Sequence, residues 1–247
     1  MKVLINGCNG KMGQEVAKQI RSVEDVEVLC GVDKMDSGDN AFPVFTDVKD
    51  IDLIPDVIID FSIPIATFNI LDFAKKNNIP IVIATTGFSD KELEKIAEIS
   101  KVIPIFKSAN MSYEINLMSK IVCEVATKLK EADIEIIETH HNRKVDSPSG
   151  TALLLANDIN KVLDNEKEFV YDRHSKREAR NKKEIGISSI RGGTEVGKHS
   201  VVFFGDNESF EITHNCTSRS VFANGAIKAA KFLELKNPGM YNMNDLL

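Results

Sequence analysis

The stretch "INGCNGKMGQE", residues 5–15, decides the fold. Its glycines stand at Gly7, Gly10 and Gly13, after a short apolar run (residues 3–5) and before Met12, Val16, Ala17 and Ile20 at helical spacing. Strand, glycine turn and helix in that order let a backbone approach a pyrophosphate. The helix N-terminus then supplies N–H groups and a partial positive charge. The first interval is one residue longer than in the usual G-x-G-x-x-G pattern, so alone the triplet also fits a plain tight turn. A second feature supports the nucleotide reading. Asp33, in "CGVDK", closes the next strand-like run (residues 26–32), where a carboxylate accepts from an adenosine ribose hydroxyl. An ordinary loop acid is the alternative. Lys34 either pairs with a 2′-phosphate or is simply solvated, so NADH is favoured and NADPH stays open.

Outward from this loop, strand-like and helix-like segments alternate. "DVIIDFS" (residues 56–62) has the continuous apolar centre of a strand buried on both faces. A helix after Pro64 should bury Phe68, Leu71, Phe73 and Ala74. Strand "IPIVIATTG" follows, then a helix from Ser89 with Glu92 completing a capping box, then strand "VIPIF". The alternation predicts a doubly wound α/β domain with a parallel sheet. Ala84, Thr85 and Thr86 close one of its strands, and Ser108, Ala109, Asn110 and Met111 follow another. Both groups should border the nicotinamide half of a bound dinucleotide; generic turn chemistry is the alternative.

Beyond Asn110 the pattern changes to α+β. A long amphipathic helix (residues 112–130) precedes strand "DIEIIETHH", and a second helix spans about 148–163. The charged segment 164–184 reads as a surface excursion, followed by strands "IGISSIRGG", "HSVVFFGD" and "SFEITHNC". A last helix, about 220–233, would return to the first domain. The expected division is 1–111 with 220–247 for dinucleotide binding, and 112–219 for substrate binding and oligomerisation.

Composition narrows the partners. A net charge of −6 argues against general nucleic-acid binding, and no apolar run approaches the ~20 residues of a membrane span. Cys8, Cys30, Cys123 and Cys216 form no C-x-x-C pair and read as buried thiols of a reducing, cytoplasmic protein without a signal peptide. Against that acidic background, His140, His141, Arg143 and Lys144 crowd into five residues of "ETHHNRKVDSPSGTA" (residues 138–152). Either histidine could donate a proton near neutral pH, and Lys144 adds charge for a carboxylate. Pro148 near the first helical position, with the N–H groups of Gly150 and Thr151 and the Thr151 hydroxyl, would complete an anion cradle. A solvated charge run is the plainer reading. Zinc is disfavoured, because H-E-x-x-H and a nearby cysteine are both missing, so no metal is expected. His174, His199 and His214 are isolated along the chain and read as structural or surface residues.

Filled by Glu138, His140, His141, Lys144, Asp146, Pro148, Ser149, Gly150, Thr151 and Ala152, this segment resembles the signature of the dihydrodipicolinate reductase family. The resemblance extends to the Gly7 loop, "DFS" at Asp60, "TTGF" at Thr85, "SANMS" at Ser108 and "TSRSVFANGA" from Thr217. It implies reduction of 4-hydroxy-tetrahydrodipicolinate to tetrahydrodipicolinate in diaminopimelate and lysine biosynthesis, using NADH, NADPH or both. It makes His140 the proton donor or acceptor, and Lys144 a second donor that helps hold the substrate. His141, Gly150 and Thr151 would bind a dicarboxylate. Gly7, Cys8, Asn9, Gly10, Lys11, Met12, Asp33, Ala84, Thr85, Thr86, Ser108, Ala109, Asn110 and Met111 fall on the family's cofactor positions. Arg219 matches an arginine near the substrate domain, and a homotetramer is implied. Tyr113 and Glu114 depart from the family's usual small or apolar residue and glycine. Another nicotinamide enzyme of this fold, or a nucleotide sensor without catalysis, are the competing readings. The intact His140 and Lys144 disfavour the sensor.

Overall fold

The computed structural model describes residues 1–247, which form two compact units: Met1–Tyr113 with Arg219–Leu247, and Glu114–Ser218. The elements in chain order are β1 (Lys2–Asn6), α1 (Lys11–Ile20), β2 (Glu27–Val32), β3 (Val44–Phe45), β4 (Val57–Asp60), α2 (Pro64–Asn77), β5 (Ile81–Ile83), α3 (Asp90–Ser100) and β6 (Pro104–Lys107). They continue with α4 (Tyr113–Lys128), β7 (Asp133–His140), α5 (Gly150–Val162), β8 (Glu168–Val170), β9 (Glu184–Arg191), β10 (Gly197–Phe204) and β11 (Ser209–Cys216). The chain closes with α6 (Ser220–Leu233), β12 (Gly239–Tyr241) and α7 (Met243–Leu246). No helix is long and apolar enough to cross a membrane.

In the first unit the strands run in the order β12-β6-β5-β4-β1-β2-β3, all parallel. Order reverses between β1 and β4, and the crevice outside the carboxyl ends of such strands is where α/β sheets bind ligands. The apolar strand centres are buried on both faces. Val3, Ile5 and Ile59 pack with α1 and α6, while Leu4, Ile58 and Ile81 pack with α2 and α3. The Ser89 capping box with Glu92 forms as the sequence implies. On α2, Ile70, Leu71 and Ala74 are buried, whereas Phe68 and Phe73 are half-buried and only pack against the core. Strands β3 and β12 and helix α7 have no counterpart in the sequence reading. Two- to four-residue elements carry too little periodicity to show, and only pairing with a neighbouring strand defines β3 and β12.

Helix α6 packs closely because of Gly225. A Cβ there would stand 1.7 Å from the main-chain oxygen of Met111. Gly225→Ala is therefore expected to destabilise the protein by about 1–3 kcal/mol, the usual range for overpacking. Denaturant melts measure this; an unchanged midpoint would mean that α6 can slide away at no cost.

In the second unit the strands run β11-β10-β7-β9-β8, with β7–β9 and β8–β9 parallel and the others antiparallel. Ile134, Ile136, Ile185, Ile187, Val201 and Phe203 form one face and pack with α4 and α5 residues such as Ile115, Val122, Leu155 and Ile159. The charged stretch after α5 is more than a surface excursion. It contains β8, and Arg180 turns back to donate to Asp133 Oδ1 (2.9 Å), Glu135 Oε1 (3.1 Å) and the Ile134 carbonyl (2.9 Å). A charge count along the chain cannot reveal acceptors that lie more than forty residues away.

Candidate active site

In the first unit, the turn between β1 and α1 depends on glycine twice. Gly7 has φ +80°, and a Cβ on it would meet the Phe61 carbonyl oxygen at 2.6 Å. A Cβ on Gly13 would stand 2.2 Å from the Gly7 oxygen and 2.7 Å from Cys8 Cα, so only glycine lets α1 start this close to the loop. Gly10 caps α1 with no side-chain hydrogen bond, which leaves the first-turn N–H groups to a ligand or solvent. Asp33 Oδ2 accepts from Asn9 N at 2.8 Å and its Oδ1 from Lys34 N at 2.8 Å. A carboxylate has about four acceptor sites, so capacity for ribose hydroxyls remains.

The Asn9 side chain is committed to the loop. It donates to the Met35 carbonyl at 2.7 Å and accepts from Asn40 at 2.7 Å, while Gln14 reaches both Asn40 and the Cys8 carbonyl. Cys8 itself is buried in the core, and burial pushes its thiol up to about 12, so its backbone is what it offers a ligand. Lys11 and Lys34 are exposed and Met12 is half-buried. A cleft of about 1310 Å³ opens here, lined by Gly7, Asn9, Gly10, Asp33, Lys34 and Ser62 among others.

At the carboxyl end of β4, buried Asp60 ties the neighbouring strands together, a role the sequence did not reveal. It accepts from Asn6 Nδ2 (2.8 Å), Ser62 Oγ (2.5 Å) and Thr67 Oγ1 (2.6 Å). Ser62 N in turn donates to Thr85 Oγ1 at 2.9 Å. Burial pushes the Asp60 carboxyl above its ordinary value, against the lowering effect of its hydroxyl and amide donors. Beyond β5, Ala84 is half-buried, Thr85 buried and Thr86 exposed. After β6, Ser108 Oγ donates to the Asn110 carbonyl (2.7 Å), and Asn110 Oδ1 accepts from Ser112 N (2.9 Å). Ala109 is exposed and Met111 is buried. Arg219 stands at the N-cap of α6 in this unit, and Lys228 Nζ lies 4.6 Å from the centre of the Tyr113 ring.

In the second unit, alternation along β7 turns Glu138 and His140 to the same face as buried Ile134 and Ile136. Glu138 is 0% exposed and is surrounded by donors. Arg191 Nη2 donates to its Oε1 at 2.7 Å and Nη1 to its Oε2 at 2.8 Å; Ser149 N donates to Oε1 at 3.1 Å; and His140 Nδ1 lies 2.5 Å from Oε2. Burial alone would raise the Glu138 carboxyl, but hydrogen bonds from Arg191, Ser189 and His140 outweigh it and hold it at about 2. Arg191 was not singled out in the sequence. Parallel pairing of β7 with β9 sets His140 opposite Arg191, a match made only by the sheet register.

His199 is not isolated in space. It is 4% exposed, pairs across β10 with Glu138 on one side and His214 on the other, and its ring centre lies 5.1 Å from that of His140. Its Nε2 shares a hydrogen bond with Ser149 Oγ at 2.9 Å, while its buried Nδ1 has no partner. Burial first, then the neighbouring His140, pushes the His199 ring down to about 4, which keeps it neutral. His214 is also lowered, by burial, against the charge of Glu114. His174 is exposed.

The anion cradle differs in one detail from the sequence reading. Ser149 is the N-cap of α5, and its hydroxyl accepts from Ala152 N at 3.2 Å, whereas Pro148 was expected near the first helical position. Pro148 therefore lies outside the helix. Gly150 opens the first turn, and a Cβ placed on it would meet nothing within 4 Å, so there is room for a ligand. Lys144 Nζ pairs with Asp146 at 2.8 Å, and that partner's carboxyl is held low chiefly by Lys144. Arg143 is exposed. The main chain around the histidines is held by the loop after β9: Gly192 N donates to the His140 carbonyl (2.9 Å), His141 N to Glu195 (2.7 Å) and Asn142 N to Gly193 (3.3 Å).

Comparison with known proteins covers both units. Residues 1–111 match the sequence model "Dihydrodipicolinate reductase, N-terminus" and residues 114–247 the model "Dihydrodipicolinate reductase, C-terminus". A 4-hydroxy-tetrahydrodipicolinate reductase from Caldanaerobacter subterraneus subsp. tengcongensis is 51% identical over 247 residues, covering 100% of this chain and 98% of the relative. One from Brachyspira hyodysenteriae is 49% identical over 247 residues, covering 100% of each. Among solved structures, the dipicolinate-bound dihydrodipicolinate reductase from Paenisporosarcina sp. TG-14 superposes with a TM-score of 0.84 at 27% identity, covering 100% of this chain and 99% of the other.

Proposed function

The chain belongs to the dihydrodipicolinate reductase family, and from that premise we propose how its residues divide the reaction. Its activity is the family's: reduction of 4-hydroxy-tetrahydrodipicolinate in lysine biosynthesis with a nicotinamide cofactor. When bound, that cofactor supplies the hydride. The residues of the first unit fit it. The open first turn of α1 and the close approach allowed by Gly7, Gly10 and Gly13 suit a pyrophosphate, and Asp33 has acceptor capacity for the ribose. The backbone of residues 7–12 would cradle the phosphates, with Ala84, Thr85 and Thr86 and residues 108–111 beside the nicotinamide half. Both NADH and NADPH are within reach of this set.

His140 is the proton donor in this reading. Its Nδ1 is engaged by Glu138, so Nε2 is the atom that gives or takes the proton. Lys144, held by Asp146, would be the second donor and would attract the substrate. The N–H groups at Gly150 and Thr151, with His141, would take the two carboxylates of the substrate, a class suggested by the dipicolinate named for the Paenisporosarcina structure. The observation that carries this reading is the buried Glu138–His140 pair, joined through Ser149 N to the open N-terminus of α5. The chain is also proposed to assemble as a homotetramer. Ile137, Ile190 and Phe204, 37%, 51% and 46% exposed, lie on the sheet face away from α4 and α5 and would be covered there, which sedimentation tests.

The test of function is oxidation of NADH or NADPH, followed by near-ultraviolet absorbance, with substrate formed in place by dihydrodipicolinate synthase. Oxidation that depends on the synthase is expected; folded protein that oxidises neither cofactor would refute the assignment. Lys34 reads the 2′-phosphate in this scheme. Lys34→Ala should raise KM for NADPH by about two- to fivefold, the scale of an exposed charge pair, and leave NADH unaffected. Equal changes for both cofactors would remove Lys34 from cofactor choice.

A further inference from the structure

The structure assigns Glu138, clamped by Arg191, as a positioning residue that fixes the His140 proton on Nδ1 and reserves Nε2 for proton transfer. The inference rests on the reading of His140 as proton donor and deepens it. A buried ion pair that merely joined β7 to β9 would need only the two Arg191 bonds, which engage both Glu138 oxygens. Here Oε2 has a further partner, His140 Nδ1 at 2.5 Å, and Oε1 has Ser149 N at 3.1 Å. The carboxylate therefore sets the histidine ring and the N-cap of α5 from one point. Because it is ionised it accepts and cannot donate, so the hydrogen between it and the ring belongs to Nδ1. Nε2 is then the nitrogen left without a hydrogen in the neutral ring: it takes up a proton from solvent and passes that proton to the substrate, while Nδ1 keeps its own hydrogen through both steps.

The groups around the ring support one orientation. From β10, His199 meets it edge to face, with ring planes at 75° and its own ring kept neutral. From β11, His214 stands beyond His199, and from β9, Arg191 is forked on Glu138. In the loop after β7, Lys144 is paired with Asp146, whose carbonyl accepts from Arg191 Nη2 at 2.8 Å. A Cβ on Gly197 would come within 3.0 Å of His140 Nε2, so glycine keeps that nitrogen clear.

Glu138→Gln keeps the shape and removes the charge. Its amide can donate to Nδ1 and so move the ring proton to Nε2. Turnover is expected to fall by up to about 10⁴-fold, the loss that follows when the carboxylate behind a catalytic histidine becomes an amide and the ring takes the wrong tautomer, with cofactor KM unchanged. In ¹⁵N spectra of histidine-labelled protein, the His140 Nδ1 signal should move from the protonated to the bare position. Added to His140→Gln, the same change should slow turnover no further. If Glu138→Gln alone destabilises the fold, Glu138→Gln with Arg191→Met removes both charges together, and the spectra are read on that protein. An unchanged His140 tautomer, or an equal slowing in the His140→Gln background, would overturn the inference. If instead His140→Gln turned over at the parental rate, the proton-donor reading would fail. The tautomer would then decide the positioning role alone.

Discussion

Replacing His140 by glutamine is expected to lower kcat by about 10²–10⁴-fold, the range that positioned acid–base groups contribute. Hydride delivery to carbon must be matched by a proton, and His140 is the one imidazole whose Nδ1 is already held by an ionised carboxylate. Glutamine fills a similar volume and can still bond to Glu138, so the fold and the proposed cofactor cleft in the other unit should be little changed. The loss should therefore appear in kcat far more than in KM for cofactor or substrate, as for an interaction made in the transition state. Steady-state kinetics with the synthase-coupled assay measure both. A parental kcat would remove His140 from the chemistry and leave Lys144 as the donor.

Gly13→Ala should weaken nicotinamide cofactor binding by about 10- to 100-fold, since overpacking against rigid backbone is worth about 1–3 kcal/mol and ~1.4 kcal/mol is tenfold. The added methyl would lie 2.2 Å from the Gly7 oxygen and 2.7 Å from Cys8 Cα, atoms that no rotamer change can move. Either α1 withdraws or the loop opens, and both would take the N–H groups away from the position proposed for the pyrophosphate. Titration of cofactor into folded protein checks this. Parental affinity in folded Gly13→Ala would show that the loop does not need this close contact.

Much of the fold is legible in the sequence. The helix expected over about 220–233 spans Ser220–Leu233, and the Ser89–Glu92 capping box is present as read. Glycine spacing, apolar runs and capping residues are local signals, carried by neighbours a few residues apart, so the chain displays them directly. The segment with His140, Lys144 and Gly150 also stood out, because its charge and turn residues are contiguous and because they match a family signature.

What the chain could not display are pairings across large sequence distances. Glu138 and Arg191 are 53 residues apart, Ser149 and His199 are 50 apart, and Asn6 and Asp60 are 54 apart. His199, isolated in sequence, joins the histidine cluster because β10 runs antiparallel to β7 in a register that sets it opposite Glu138. The sequence by itself determined the longer strands and helices, the glycine loop and the basic segment, since periodicity, backbone freedom and local charge are short-range properties. Only the tertiary structure decided which carboxylate holds which imidazole: the partners of a buried group are chosen by sheet register and burial, which exist only once the strands have paired.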